Sequence, residues 1–280
     1  MHHPKRIETK FEELKHNDKK GLITFITAGD PNYESSLEIL KKLPDSGADI
    51  IEIGMPFTDP MADGPGIQAS YLRALEGGQT LKKTIQLVKT FRESNSNTPI
   101  VLMGYYNPIY KYGVESFIKD IKEIGVDGLI VVDLPPEADR ELCIPANENN
   151  IDFIRLATPT SSEERLPKIV DNASGFLYYV SVAGITGSKA PEISSIERKI
   201  KIIRNFTNIP IAVGFGIKTP EQAFNISKIA DAVVVGSAII DKIKEAYEKD
   251  KKNIKLIADS AADLVKSLSA VLNKNKEKEK

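Results

Sequence analysis

The sequence predicts an α/β protein built as a single (β/α)8 TIM barrel. Short runs rich in β-branched residues alternate with longer segments of helical period along the chain. The runs are apolar along most of their length, as in parallel strands that are covered on both faces. A chain of 280 residues also suits this fold, for which about 250 residues is typical. An open, doubly wound sheet remains the alternative, because the number of strands does not establish closure.

Eight runs are the predicted strands. They cover residues 22–27, 48–53, 100–103, 128–132, 153–156, 176–179, 211–214 and 232–235. Amphipathic segments lie between them, and before the first strand Ile7, Phe11 and Leu14 share one face of a predicted helix that should cap the barrel bottom. We predict one catalytic domain over residues 1–272 and a charged, disordered tail over residues 273–280.

Composition excludes several classes of partner and site. With 38 basic and 39 acidic residues, the chain has no charge excess that would favour nucleic acid or an anionic membrane. The single cysteine, Cys143, and the lack of a long apolar run favour a cytoplasmic protein. The three histidines, at positions 2, 3 and 16, lie near the N-terminus. We therefore expect no histidine base and no histidine-ligated metal in the active site.

One carboxylate lies near the end of the second predicted strand, and another lies on the loop that follows it. Glu52 lies between Ile51 and Ile53, so strand alternation points its side chain into the barrel mouth, where active sites of this fold lie. Burial there would raise its pKa into the range useful for proton transfer. Asp63 lies on the long loop that follows, and we expect it to be the exposed, ionised member of the pair. The alternatives are a structural role for Glu52 and turn formation for Asp63 and the neighbouring Asp59.

Glycine-rich turns follow the last three strands. They cover residues 182–188, 214–217 and 235–239. Glycine lets backbone amides approach an anion, and a helix beginning at the last turn adds its dipole. Because phosphate sites of these barrels use the loops after strands seven and eight, the turns predict a phosphorylated substrate.

The strand ends supply apolar and aromatic side chains, which indicate an apolar or aromatic part of the substrate. They are Phe25, Leu102, Ile130, Leu156, Tyr178 and Phe215, and each could instead be ordinary barrel core. The ends of strands six and seven carry no lysine for a Schiff base, apart from Lys218 just beyond a turn. Proton transfer by carboxylates, on a substrate that supplies its own electron sink, remains as the predicted chemistry.

The segment EIGMPFTDPMADGPGIQ over residues 52–68 resembles the signature of the tryptophan synthase alpha chain family. Residues 102–108, 133–137 and 184–187 and the two later glycine turns are similar to the same family. The resemblance covers nearly the whole chain except the tail. Val132 and Val182 depart from it, since many members have proline at the first position and some have arginine at the second.

The resemblance implies a retro-aldol cleavage of indole-3-glycerol phosphate to indole and glyceraldehyde 3-phosphate. In the family, the residue matching Glu52 shuttles protons and the residue matching Asp63 stabilises charge at the indole nitrogen. Tyr178 matches a tyrosine near the catalytic glutamate. The remaining matches are Gly187, Gly216, Gly236 and Ser237 for phosphate, Thr186 for the lid, and Phe25, Leu102, Ile130, Leu156 and Phe215 for the indole pocket.

The family also implies a partner. Indole passes to a beta chain that carries pyridoxal phosphate in an α2β2 tetramer, and the alpha chain has no cofactor of its own. Asp59, Pro60, Asn107 and Pro135 fall on loops that face this partner. Two alternatives are a stand-alone lyase that releases free indole and a catalytically dead barrel that acts as an allosteric partner.

Overall fold

A computed structural model describes residues 5–181, 192–214 and 216–273. The predicted turn at 182–188, Phe215 and the tail from residue 274 lie outside the described residues. The strands are β1 Gly21–Thr27, β2 Ile50–Gly54, β3 Ile100–Gly104, β4 Gly128–Val131, β5 Asp152–Phe153, β6 Arg155–Ala157, β7 Leu177–Val180, β8 Ile211–Gly214 and β9 Ala232–Val235. Every pairing is parallel, and the order is β5-β4-β3-β2-β1-β9-β8-β7-β6.

The sheet closes through its fifth predicted strand. The two ends of the strand order, β5 and β6, are separated in sequence by Ile154 alone. Its backbone N–H donates to the carbonyl of Leu129 over 2.9 Å, so this residue still bonds to the neighbouring strand β4. The predicted barrel is therefore confirmed over the open sheet, although residues 153–156 form two short strands rather than one.

Helices surround the strands, as predicted. They are α1 Arg6–His16, α2 Tyr33–Lys42, α3 Pro65–Glu76, α4 Leu81–Arg92, α5 Tyr106–Tyr112, α6 Val114–Glu123, α7 Cys143–Glu148, α8 Leu166–Val170, α9 Ile193–Arg204, α10 Pro220–Ser227, α11 Ser237–Lys249 and α12 Ile254–Leu272. Two 3-10 helices cover Pro44–Ser46 and Pro136–Glu141. In the described ranges, no helix has the length and apolar character that crossing a membrane requires.

Strand alternation divides the core into two layers. An outer layer, between strands and helices, includes Ile51, Ile53 and their counterparts on the other strands. An inner layer fills the barrel and continues into α1, where Ile7, Phe11 and Leu14 are buried. The rings of Phe11 and Phe176 have centroids 5.9 Å apart. The predicted cap at the barrel bottom is confirmed, which leaves the carboxyl ends of the strands as the open face.

Candidate active site

Glu52 lies in the middle of β2 and is the buried acid of the site. Its neighbours Ile51 and Ile53 belong to the outer layer, so alternation places Glu52 on the inner face. The residue is 1% exposed, and its Oε1 forms no hydrogen bond within the described residues. Burial raises the pKa of Glu52 from the usual 4.5 to about 8. The carboxyl group is therefore protonated at neutral pH and can donate a proton.

Asp63 is held by the start of the helix that follows it. The Gln68 side-chain amide on α3 donates to the Asp63 carbonyl over 2.8 Å, while the Tyr105 hydroxyl donates to Asp63 Oδ2 over 2.7 Å. The same hydroxyl accepts the Ala62 N–H over 3.0 Å. Tyr105 directly follows β3, so it links the loop after β2 to the next strand.

Asp63 is buried, which corrects the expectation that it is the exposed carboxylate of the pair. Only 8% of the residue is exposed, because α3 and Tyr105 fold the loop back over the barrel mouth. Burial raises the pKa of Asp63, and the hydrogen bond from Tyr105 opposes this shift. The two carboxylates differ in their partners, since a hydroxyl donor supports Asp63 and none supports Glu52 Oε1 within the described chain.

Tyr178 on β7 lies near both carboxylates. Burial raises its pKa well above the ordinary value, and the charges of Glu52 and Asp63 add to the rise. A Cβ atom added to Gly214 on β8 would lie 2.6 Å from the Tyr178 hydroxyl oxygen. Glycine at that position therefore leaves the space that the hydroxyl occupies, and the side chain stays a neutral hydroxyl at physiological pH.

Of the predicted apolar wall residues that the structure describes, Leu102 departs from its expected position. Phe25 packs over Gly54 and Gly236, while Ile130 belongs to the inner layer and Leu156 packs against it. The exception is Leu102, which belongs to the outer layer and faces the helices. Its neighbour on the inner face is Met103, which packs against the inner layer and is partly exposed at the mouth. The sequence prediction chose the neighbouring residue of β3, and a shift of one residue places a side chain on the opposite face of a strand.

The expected phosphate end of the site is only partly described. Gly216 is exposed and has a φ of +79°, a conformation that L side chains rarely adopt. Gly236 precedes α11, so the N–H groups of Ser237 and Ala238 have no partner within the helix and are available to an anion, whereas the Ile239 N–H donates to the Gly236 carbonyl over 2.8 Å. Thr186, Gly187 and Phe215 lie outside the described residues.

Four residues expected at a partner surface lie at the same end of the barrel, three on loops and Asn107 in the first turn of α5. Asp59, Asn107 and Pro135 are exposed and Pro60 is half-buried, and they follow β2, β3 and β4. Large apolar side chains accompany them: Met61 and Tyr110 are each 65% exposed. Sequence reasoning missed these two residues, although exposed large apolar side chains at a barrel mouth are typical of a binding surface.

Tyr105 and Tyr71 are two further residues of the site that the sequence analysis did not identify. Tyr105 stands immediately after the end of β3, the position at which barrel enzymes carry functional groups, so position alone could have indicated it. Tyr71 lies inside α3, where an aromatic residue is normally core. No sequence signal distinguishes it from its neighbours.

The described residues hold no group of three or more histidine, cysteine or acidic side chains that could bind a metal ion. His16 ends α1 at the barrel bottom, opposite the carboxylates, whereas His2 and His3 lie outside the described residues. With a protonated Glu52 and a hydrogen-bonded Asp63, the mouth carries side chains suited to acid–base chemistry.

Comparisons with known proteins find relatives that share the fold over nearly the whole chain. A model of the family described as Tryptophan synthase alpha chain matches residues 11–269. The tryptophan synthase alpha subunit of Legionella pneumophila str. Paris is 39% identical, with a TM-score of 0.88 over 95% of this chain and 98% of that one. The alpha chain from Legionella pneumophila subsp. pneumophila is 38% identical, with a TM-score of 0.88 over 97% and 98%. Tryptophan synthase from M. tuberculosis, in an aminoacrylate-bound form, is 30% identical, with a TM-score of 0.84 over 95% and 99%.

Proposed function

The chain belongs to the tryptophan synthase alpha chain family, and on that premise we propose that Glu52 and Asp63 cleave indole-3-glycerol phosphate at its barrel mouth. The family assignment makes the chain a lyase of tryptophan biosynthesis. The observation that carries the residue assignment is Glu52, a buried acid with a pKa of about 8 on the inner face of β2. A second buried carboxylate, Asp63, lies on the loop that follows the same strand.

Glu52 performs both proton transfers of the proposed reaction. It first gives its proton to the indole carbon that bears the glycerol phosphate, which converts the ring into a cationic electron acceptor. The resulting carboxylate then removes the proton of the neighbouring hydroxyl group. The C–C bond breaks, its electron pair returns to the ring to form indole, and the hydroxyl carbon becomes the aldehyde of glyceraldehyde 3-phosphate. A pKa near 8 suits this cycle, because it lies close to the pH at which the group must both give and take a proton.

Asp63 stabilises the charge that develops on the ring. As a carboxylate it accepts a hydrogen bond from the indole N–H, which becomes strongly positive once the ring carbon is protonated. Placed in a buried site, such an interaction is much stronger than in water. Tyr105 supports this role, because its hydrogen bond to Oδ2 favours the ionised form of Asp63 against the effect of burial.

The remaining predicted residues bind and orient the substrate. Tyr178 keeps a neutral hydroxyl beside both carboxylates and can orient the reacting groups. Gly216, Gly236 and Ser237, with Gly187, are proposed to bind the phosphate, and Thr186 to belong to the lid. The indole pocket comprises Phe25, Met103 in place of Leu102, Ile130, Leu156 and Phe215.

We propose that the chain works as the alpha subunit of an α2β2 complex and needs no cofactor of its own. Asp59, Pro60, Asn107 and Pro135, with the exposed Met61 and Tyr110, are the proposed contacts with the beta chain. Pyridoxal phosphate belongs to that partner, which receives indole. We further propose a single catalytic domain over residues 1–272, a charged tail beyond it, and a cytoplasmic location, which the single cysteine supports.

The test is indole release from indole-3-glycerol phosphate, measured with the chain alone and with a family beta chain. Slow cleavage alone and strong stimulation by the partner support the subunit. Full activity without the partner would support the stand-alone lyase instead. No cleavage under either condition would support the dead barrel and overturn the proposal.

A further inference from the structure

Tyr71 is the one tyrosine whose buried hydroxyl lacks a hydrogen-bond partner within the described residues. It lies on α3, is 1% exposed, and is among the largest fully buried side chains of the protein. Leaving such a hydroxyl unpaired in the interior costs free energy. A group retained at that cost next to an active site indicates a role that the ligand-free arrangement does not yet use.

Polar contacts on both sides hold Tyr71 in place. The preceding residue, Ser70, shares a hydrogen bond of 2.6 Å with Thr27 at the end of β1. One turn further, Arg73 donates to both carboxylate oxygens of Asp30 over 2.7 and 2.9 Å. These contacts fix the buried face of α3 against the barrel, so the Tyr71 ring is not free to turn its hydroxyl toward solvent.

The Tyr71 ring borders the end of the catalytic strand. A Cβ atom added to Gly54, two residues beyond Glu52, would lie 3.1 Å from Tyr71 Cε1 and 2.5 Å from Phe25 Cζ. Tyr71 therefore packs beside Phe25, at the mouth of the barrel. After burial, the charges of Asp63 and Tyr105 raise the pKa of Tyr71 well above its ordinary value. Its hydroxyl thus lies within the electrostatic range of the Asp63–Tyr105 pair.

We propose that Tyr71 is a positioning residue for Asp63, whose hydroxyl donates to this carboxylate when Asp63 binds the indole nitrogen. The proposal rests on the proposed function. A carboxylate has about four lone-pair sites, and among the described residues only Tyr105 bonds to the Asp63 side chain. When the indole N–H takes up one oxygen, a second donor keeps Asp63 ionised and fixes its orientation. Tyr71 carries an unpaired donor on α3, the helix that begins directly after Asp63 and Gly64.

The titratable groups around Asp63 give this idea a specific pH signature. Among the described residues, Asp63 affects the pKa of Tyr71 on α3, Tyr105 after β3 and Tyr178 on β7, and Glu52 on β2 also affects that of Tyr178. The three tyrosines stay neutral, because their pKa values are raised above the usual 10. Asp63 must be ionised and Glu52 protonated for the first step, so Asp63 sets the acidic limb of the activity profile and Glu52 the basic limb. Loss of the Tyr71 donor should move the acidic limb alone.

The experiment compares wild type, Tyr71→Phe and the control Tyr179→Phe, which changes a buried residue of β7 that belongs to the outer layer. In the presence of a beta chain, Tyr71→Phe should lower kcat about tenfold at neutral pH with a smaller change in KM, as expected for a contact made in the transition state. Its acidic limb should move up by about one pH unit. Its Tm should equal or exceed that of wild type, because an unpaired hydroxyl has been removed. Tyr179→Phe should leave kcat and the acidic limb unchanged.

Several results would overturn the inference about Tyr71. An unchanged kcat and acidic limb in Tyr71→Phe would overturn the positioning role, as would a lower Tm or a failure to fold, since these would mean that the hydroxyl serves the structure. The proposed function is judged separately by wild type and Asp63→Asn in the same assay. If wild type cleaves the substrate, Asp63→Asn does not, and Tyr71→Phe behaves as wild type, only the inference about Tyr71 fails.

Discussion

Single residues in this protein acquire their chemistry from burial. Glu52 and Asp63 have the same functional group at the same end of the barrel, and both pKa values are raised by removal from water. The difference lies in the hydrogen bond from Tyr105, which Asp63 receives and which stabilises its charged form. One barrel mouth can therefore hold an acid and a charge-stabilising carboxylate.

Glu52 should make the folded protein less stable as the pH rises. Its pKa is about 8 in the folded state and near 4.5 when exposed, so the unfolded chain releases this proton first. The contribution of the neutral Glu52 side chain to the stability of the folded state is complete below pH 4.5, and it is lost as the pH rises to about 8. Glu52→Gln removes this dependence. Urea titrations at pH 5 and 8 should show wild type losing on the order of a few kcal/mol relative to Glu52→Gln, and parallel curves for the two proteins would contradict the buried, protonated state.

Prediction of single residues from the sequence succeeded where strand alternation alone determines the position of a side chain. It failed where that position depends on the exact end of a strand or on a contact between residues distant in sequence. Glu52 was placed correctly because it interrupts an apolar strand. Leu102 was placed on the wrong face, since the end of β3 could not be located to one residue from an uninterrupted apolar run. Burial of Asp63 depends on Tyr105, which is 42 residues away in sequence. No local pattern contains that information.

At the scale of elements, α3 connects the first two barrel units. It begins directly after Asp63 and Gly64, and its buried face carries Ser70, Tyr71 and Ala74. A buried ion pair anchors it, between Arg73 and Asp30, whose side chain is fully buried after β1. Burial raises the pKa of Asp30, and the guanidinium opposes the shift. Breaking this pair leaves a carboxylate in the interior without a counter-charge.

Arg73→Met should therefore lower the free energy of unfolding by about 3 to 5 kcal/mol at neutral pH. The loss should shrink in acid, where Asp30 becomes protonated and needs no counter-charge. Urea unfolding at the two pH values is the measurement. Lys201→Met, which breaks the exposed pair with Glu197, is the matched control and should cost less than about 1 kcal/mol. Equal losses in the two variants would show that burial of the Asp30 pair is unimportant.

Most elements were predictable because their apolar periods are uninterrupted, and the exception has a structural reason. Residues 153–156 read as one strand, yet Ile154 separates β5 from β6, with β5 pairing to β4 and β6 to β7. The interruption lies where the sheet closes on itself. Closure is a property of the whole barrel, so the hydrophobic pattern of four residues does not reveal it.

For the whole molecule, the closed bottom of the barrel contributes to stability, and the open mouth carries the candidate active site. The cap formed by α1 packs Ile7, Phe11 and Leu14 into the inner layer, and Arg6 on the same helix donates to Asp127 over 2.7 Å. The carboxylates lie at the opposite end. Stability should therefore respond to changes in the cap without loss of chemistry in the molecules that remain folded.

Phe11→Ala tests this separation. It removes a buried ring that packs against Phe176 and should lower the free energy of unfolding by about 3 to 5 kcal/mol. The rate of indole formation per folded molecule should stay within about twofold of wild type, because the mouth keeps its packing. Glu12→Ala, an exposed position on the same helix, should change stability by less than about 0.5 kcal/mol. A large loss of turnover in folded Phe11→Ala protein would mean that the cap and the active site are coupled.

The central claim is that Glu52 is the proton carrier, and indole release by Glu52→Gln tests it most directly. Glutamine keeps the shape of the side chain but neither gives nor takes the proton at these pH values. With a beta chain present, we expect turnover to fall by at least about a thousandfold, while the folded structure and substrate binding are retained. Turnover near that of wild type would contradict the account.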